Sequence, residues 1–159
     1  MDLGLTNKLV LVVGSSKGIG RAIAKSFVEE GCHVIAIARS AQLLSTLQDE
    51  CKELGNGTID IEVADIMSLD TKKFARMLQD KYGNFDIIIH NVGGSLVSRN
   101  HLAGQEDWIY ALRFNALAAI DMNSVFLPAM IERKSGHIVH ISSISAKMLR
   151  GNPLYASAK

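Results

Sequence analysis

The sequence predicts an α/β fold, a doubly wound parallel sheet of strand order 3-2-1-4-5, and three observations predict it. Short, continuous apolar runs alternate with segments of helical periodicity along the chain. Those runs are too uniformly apolar for strands with one wet face, so they belong in a parallel sheet covered on both sides. The first of them, Leu9–Val13, leads straight into a glycine-rich turn, Gly14 to Gly20, that opens a helix. Right-handed crossovers between successive strands then give the 3-2-1-4-5 order.

The elements follow in order. Leu9–Val13 is the first strand. A helix over 21–30 comes next, with Ile19, Ile23, Ala24 and Phe27 on one face, and stops near Gly31. His33–Ala38 is the second strand. A helix over 41–54 ends at Gly55, and Thr58–Val63 is the third strand. A helix over 69–82 ends at Gly83, and the fourth strand is Asp86–His90. After a glycine-containing loop, one long helix is expected over 106–133, bent at Pro128. His137–Ile141 is the fifth strand. A last helix starts after Pro153 and reaches Lys159.

With 159 residues, 48% of them apolar, residues 1–159 make one domain with a substantial core. The net charge of +1 gives no reason to expect a nucleic-acid or acidic-membrane partner. Cys32 and Cys51 have no framework spacing, so reduced thiols in the cytosol are expected. Met1–Lys8 lacks a signal-like apolar segment, and no run is expected to span a bilayer. A soluble, cytoplasmic protein with no assigned metal site is the resulting expectation.

In a doubly wound sheet, ligands bind past the carboxyl ends of the strands, where the order reverses. The loops at those ends carry Gly14–Gly20, Arg39, Asp65, Asn91–Gly94 and Ser142–Ser145. A helix N-terminus with unpaired N–H groups attracts an anion, and glycines let the backbone come close to it. The glycine spacing is Gly-x-x-x-Gly-x-Gly, which is neither the general dinucleotide fingerprint nor a P-loop. A tight strand-to-helix turn needing only positive φ would use the same glycines. The second strand ends Ala38-Arg39-Ser40 with no carboxylate to hold a ribose diol. Arg39 suits a 2′-phosphate instead, with Lys17 as a second cation, which favours NADP(H). Asp65 is a candidate acceptor for the adenine amino group with Ile66 against the ring, or else a helix-capping carboxylate. Asn91 begins a close-approach loop with Gly93 and Gly94, and would equally serve as a turn residue.

Tyr155 and Lys159 stand four apart at a helix start, hence on one face. An ammonium near a phenol stabilises the phenolate and makes it a usable general acid or base. Ser142 and Ser143, at the end of the fifth strand, suit a substrate carbonyl or a cap.

These residues stand in motifs that together resemble the short-chain dehydrogenase/reductase family of the classical type. The motifs are Val-Gly-Ser-Ser-Lys-Gly-Ile-Gly, His-Asn-Val-Gly, Phe-Asn-Ala-Leu, Gly-His-Ile-Val-His-Ile-Ser-Ser and Tyr-Ala-Ser-Ala-Lys. The resemblance covers the whole chain and implies a Rossmann-like, dinucleotide-binding domain. It implies that Gly14, Gly18 and Gly20 form the pyrophosphate turn and that Ser16, Lys17 and Ile19 beside them also bind the cofactor. Arg39, Asp65, Ile66, Asn91 and Gly93 complete the cofactor site. Tyr155 is then the proton donor in carbonyl reduction or the base in alcohol oxidation. Lys159 tunes Tyr155 and holds the nicotinamide ribose, Ser143 orients the carbonyl with Ser142 as the alternate, and Asn115 supports a water in the proton relay. The implied reaction is hydride transfer between NADP(H) and a small carbonyl or alcohol substrate, and the implied assembly is a homo-oligomer. Leu96, Met148 and Leu149 are expected on an apolar wall of the substrate pocket.

The sequence departs from the family pattern at Val13, His90 and Val92, none of them a catalytic position. Family members also continue well past the lysine, so the chain reads as C-terminally incomplete, truncated before the last strands. On its own it is expected to have little reductase activity. The competing reading is a non-catalytic dinucleotide-binding or interaction module.

Overall fold

Leu9–Val13 forms β1, and its side chains alternate between two separate apolar clusters. Val10 and Val12 face one side, Leu11 and Val13 the other, and all four are buried. This is the period of two of a strand covered on both faces. The structure, a computed structural model, describes residues 3–95, 103–148 and 151–159.

The other strands are β2 (His33–Ala38), β3 (Thr58–Val63), β4 (Ile87–His90) and β5 (His137–His140). All pairings are parallel, in the order β3-β2-β1-β4-β5, as the crossover rule requires. Helices α1 (Gly18–Glu29) and α2 (Ala41–Lys52) cover the Val10 side with Ala24, Val28, Leu44 and Leu47. Helices α3 (Thr71–Tyr82) and α5 (Ala118–Glu132) cover the Leu11 side with Ala75, Leu78, Met122 and Phe126. Phe85 and Phe126 meet edge to face there, with centroids 5.3 Å apart. Cys32 and Cys51 are both free and buried.

Several boundaries differ from expectation for local reasons. Helix α1 starts at Gly18 rather than 21, so Gly18, Ile19 and Gly20 belong to its first turn. Ile19, expected on the packed face with Ile23, Ala24 and Phe27, is instead 62% exposed at that turn. Helix α2 closes at Lys52, two residues early, where Glu53 is the cap. Helix α3 starts at Thr71 because the Asp70 carboxylate accepts from the N–H groups of Lys72 and Lys73 at 3.1 and 3.0 Å. Asp86 lies just outside β4, where its side chain accepts the Leu9 N–H at 3.0 Å. Ile141 lies just outside β5.

The long helix is not continuous. It consists of α4 (Gln105–Leu112), a π turn over Arg113–Leu117, and α5. The irregularity falls at Asn115, and α5 runs on through Pro128. The Asn115 amide donates to Ala111 O at 2.9 Å, and its carbonyl accepts from Gly94 N at 2.9 Å. A side chain that competes for backbone partners is a standard cause of such a turn. Gln105–Glu132 together spans 28 residues at a mean hydropathy of 1.4 in its most apolar window, which is enough by length and composition to cross a bilayer. That corrects the expectation that no run has such a length. In the fold, Ala118, Met122, Phe126 and Met130 of this run pack onto the sheet.

The final helix, α6 (Pro153–Ala158), is opened by Asn152, whose side chain accepts from Leu154 N at 3.0 Å. Pro153 sits at its first position, where a missing N–H costs nothing.

Candidate active site

The carboxyl ends of β1, β2 and β4 surround a cleft of about 250 Å³. Gly14, Ser16 and Lys17 line it from the first turn, Arg39 from the end of β2, Asp65 and Ile66 from the end of β3, and Asn91 and Gly93 from the end of β4. Eight of the expected cofactor residues therefore share one concave surface, as the switch-point rule requires. Phe114, from the π turn, lines the same cleft. Sequence reasoning assigned it no role, although it stands directly before Asn115 in the Phe-Asn-Ala-Leu motif.

The turn is held by its neighbours. Gly14 N and Ser15 N donate to Ile37 O at 2.8 and 3.0 Å, which bends the chain toward β2. Gly14 and Gly18 take positive φ, at 91° and 58°. Gly20 is required for a different reason. A Cβ there would lie 2.1 Å from Gly14 O and 2.6 Å from Asn91 Nδ2. The Asn91 amide donates to that same Gly14 oxygen at 2.9 Å, so Asn91 ties the β4 loop to the turn. Its side chain thus does the tying work that a turn residue would do, while the residue also lines the cleft.

At the mouth of the cleft Arg39 is 68% exposed and lies 3.9 Å from the Asp65 carboxylate. The other Asp65 oxygen accepts from Met67 N at 3.0 Å within a turn; no helix starts there, and Asp70 rather than Asp65 caps the following helix.

Lys159, Asn115 and the β4 loop meet between the ends of β4 and β5. Lys159 lies one residue past α6, yet its N–H still bonds Tyr155 O at 3.1 Å, which keeps the two residues one turn apart. Lys159 Nζ donates to Ile141 O at 2.9 Å. A Cβ on Gly93 would meet Lys159 Nζ at 2.4 Å and Asn115 Oδ1 at 2.6 Å. Glycine at 93 therefore lets lysine, asparagine and the β4 loop converge. Burial pushes the Lys159 ammonium below the usual lysine range.

The two serines differ in what they have left to offer. Ser142 Oγ donates its hydrogen to Lys159 O at 2.8 Å. Ser143 Oγ accepts from Ser145 N at 3.2 Å, capping the short 3₁₀ turn Ile144–Ala146. Accepting uses an oxygen lone pair and leaves the Ser143 hydroxyl hydrogen as a donor. Of the expected pocket wall, Met148 is 47% exposed, while Leu96 and Leu149 lie outside the described residues.

A polar set that no motif pointed to lies behind this group. His90 Nε2 donates to Asn123 Oδ1 at 2.7 Å, and Asn123 Nδ2 donates to His140 Nε2 at 3.1 Å. The two imidazoles stack at 4.8 Å. The available signal was the position of the histidines, each ending an apolar strand, in register across β4 and β5. His90 is buried, and burial pulls its pKa down to about 4. The unfolded chain takes up this proton near pH 6.5, the folded one only near about 4. Stability is therefore complete above the unfolded value and falls as pH drops through that window, by up to about 3 kcal/mol for this one group. His90→Asn is expected to flatten the fall, read as the urea midpoint at several pH values. An unchanged pH dependence in the variant refutes the assignment.

Comparison with known proteins agrees with this geometry. Residues 8–159 match the sequence family described as short chain dehydrogenase. An oxidoreductase of Bacillus subtilis (strain 168) is 34% identical over 143 residues, covering 90% of this chain and 54% of its own. The chain is similar in structure to L-sorbose reductase from Gluconobacter frateurii, solved with NADPH and L-sorbose. That match has a TM-score of 0.87 and 28% identity, over 99% of this chain and 61% of the other. A 3-oxoacyl-[acyl-carrier protein] reductase from Brucella melitensis, solved with NAD, matches with a TM-score of 0.84 and 25% identity, over 96% of this chain and 60% of the other. The chain thus spans about half the length of the first of these relatives and three fifths of the two solved structures.

Proposed function

Because the chain belongs to the short-chain dehydrogenase/reductase family, we propose that the protein is an NADP(H)-dependent oxidoreductase acting on a carbonyl or secondary alcohol. Residues 1–159 act in this reading as one dinucleotide-binding unit. The observation that carries it is the convergence of Lys159, Asn115 and Gly93 beside a cleft whose far mouth holds Arg39 and Lys17. A dinucleotide suits such a surface, because the Gly14–Gly20 turn opens a helix whose first N–H groups attract a pyrophosphate, and no Cβ at Gly14, Gly18 or Gly20 blocks its approach. Gly93 extends that bare backbone, and the exposed Ile19 side chain would gain apolar cover from a ligand at the turn.

Bound there, the nicotinamide would supply the hydride in carbonyl reduction and accept it in alcohol oxidation. Tyr155 gives a proton to the carbonyl oxygen during reduction, or takes one from the alcohol during oxidation. Lys159 stabilises the phenolate by its charge and orients the ribose. Ser143 donates its hydroxyl hydrogen to the carbonyl oxygen; the commitment of Ser142 to Lys159 O supports this choice. Asn115 fixes the β4 loop through Gly94 N and O.

Preference for the phosphorylated cofactor rests on Arg39. An exposed guanidinium at the cleft mouth with a loose carboxylate partner is available to a 2′-phosphate. Arg39→Asp is expected to weaken NADPH binding about 10- to 100-fold, the worth of a charged hydrogen bond, while NADH binding holds or tightens. Dissociation constants for both cofactors, measured by fluorescence titration, check it. Unchanged values in the variant overturn the preference.

A cytoplasmic location without a membrane partner is part of the proposal, supported by the packing of α5 into the core. So is a homo-oligomer, supported by the exposed stripe of Leu117, Ile120, Leu127 and Ile131 at helical spacing.

A further inference from the structure

We propose that Asn152 is a positioning residue for Tyr155, holding the start of α6 on the β4 loop through the Ser95 hydroxyl. The inference rests on the role given to Tyr155 above. It starts from a buried amide that no step of the reaction uses. Asn152 is buried, and burying an amide is unfavourable unless its polar atoms are bonded. Its Oδ1 accepts from Leu154 N at 3.0 Å and its backbone carbonyl accepts from Ala156 N at 3.0 Å, so this residue sets where the helix begins. A cap needs only the oxygen. The Nδ2 atom goes further and donates to Ser95 Oγ at 2.9 Å, across 57 residues of sequence.

Ser95 completes a short stretch in which each residue meets a different part of the machinery. Gly93 makes room for the Lys159 ammonium, Gly94 is bonded at N and O by the Asn115 side chain, and Ser95 meets Asn152. The β4 loop is thereby the common frame on which Asn115, Lys159 and the start of α6 are set.

Tyr155 depends on that start more than Lys159 does. It is the third residue of α6 and so lies in the first turn, the part of a helix that frays. Lys159 has an anchor of its own, since its Nζ donates to Ile141 O at 2.9 Å. Leu154 and Ala158 form the buried face of α6. Apolar contact of that kind is non-directional and lets a helix slide, whereas the Asn152–Ser95 bond fixes where it starts. A catalytic group misplaced by about 1 Å costs about 10²-fold in rate, so the loss of this bond is felt at chemistry rather than at cofactor binding.

Ser95→Ala, Asn152→Ser and the double variant of the full-length protein test this. Both single variants keep a cap on α6, because serine accepts there as asparagine does, and both remove the tie. NADPH-dependent reduction of L-sorbose, or of the best substrate in a panel of small ketones, is expected to lose about tenfold in kcat in each, with the NADPH dissociation constant within about threefold of the wild type. The double variant is expected to be no slower than the singles, because the same bond is lost in all three. Ser95→Thr, which keeps the hydroxyl, is expected to keep the rate. Exchange of the Ala156 amide hydrogen, followed by NMR, is expected to quicken about tenfold in Ser95→Ala, the worth of one hydrogen bond. A Ser95→Ala rate within about twofold of the wild type overturns the inference, as do losses that multiply in the double variant, which would set Ser95 against the substrate instead. If the wild type reduces no ketone, the proposed function fails instead, and the Ala156 exchange alone decides the inference: an unchanged exchange rate in Ser95→Ala overturns it.

Discussion

Tyr155→Phe is expected to lower turnover by about a thousandfold or more while leaving NADPH affinity within about threefold. The variant keeps the ring and its half-buried packing on α6 and removes only the hydroxyl to which the proposal gives proton exchange with the substrate oxygen. General acid–base catalysis by one positioned group contributes about 10²–10⁴, so the loss falls at chemistry rather than binding. The comparison separates an enzyme from a dinucleotide-binding module with no chemistry of its own. If the full-length protein carrying Tyr155→Phe turns over within about tenfold of the wild type, Tyr155 leaves the mechanism. Tight NADPH binding without turnover in the wild type, across ketones, ketoses and acyl thioesters, returns the module.

Gly20→Ala is expected to be severely damaging for a single added methyl group. Its Cβ would stand 2.1 Å from Gly14 O and 2.6 Å from Asn91 Nδ2. The first of these is backbone, fixed in turn by the bonds of Gly14 and Ser15 to Ile37 O, and cannot swing aside. The turn must open and the Asn91–Gly14 bond must break. Overpacking and one lost buried hydrogen bond together cost about 3 kcal/mol. NADPH binding is expected to vanish with the turn. Gly18→Ala is the matched control. A methyl at Gly18 meets nothing within 4 Å, and only its φ of +58° opposes it. That strain costs about 1–2 kcal/mol. Urea midpoints of the two variants compare them directly. Equal losses refute the clash as the cause.

Much of this was legible in the residue order. The first three strands have the bounds that their residue pattern suggests, Leu9–Val13, His33–Ala38 and Thr58–Val63. They are short and rich in β-branched residues, with Gly14, Gly31 and Gly57 within two residues of one border, so pattern and punctuation agree. The sheet order followed from handedness alone. The site was legible because a doubly wound sheet sends every strand-end loop to one edge. What stayed hidden depended on contacts across the fold. The π turn at Asn115 depends on Gly94, 21 residues away in sequence. The bond of Ser142 Oγ to Lys159 O joins residues 17 apart in sequence. His90, Asn123 and His140 are far apart in sequence and become a unit only when β4, α5 and β5 pack. Ile19 carries the periodicity of a core residue, yet it lies exposed on the first turn of α1 rather than against the sheet.

The π turn fixes the length of the chain around it more tightly than its composition. Each residue of an α-helix advances the side chains by about 100°. Arg113–Leu117 absorbs one residue more than a regular helix would hold at that place. After it, Ala118, Met122, Phe126 and Met130 are phased onto the sheet, and within it Asn115 reaches Gly94. Loss of a single codon there would relax the segment into regular helix and rotate one side against the other. Either the four core residues would leave the sheet or Asn115 would leave its loop. Drift among descendants of this gene should therefore exchange letters along 113–117, Asn115 apart, while leaving the number of letters untouched.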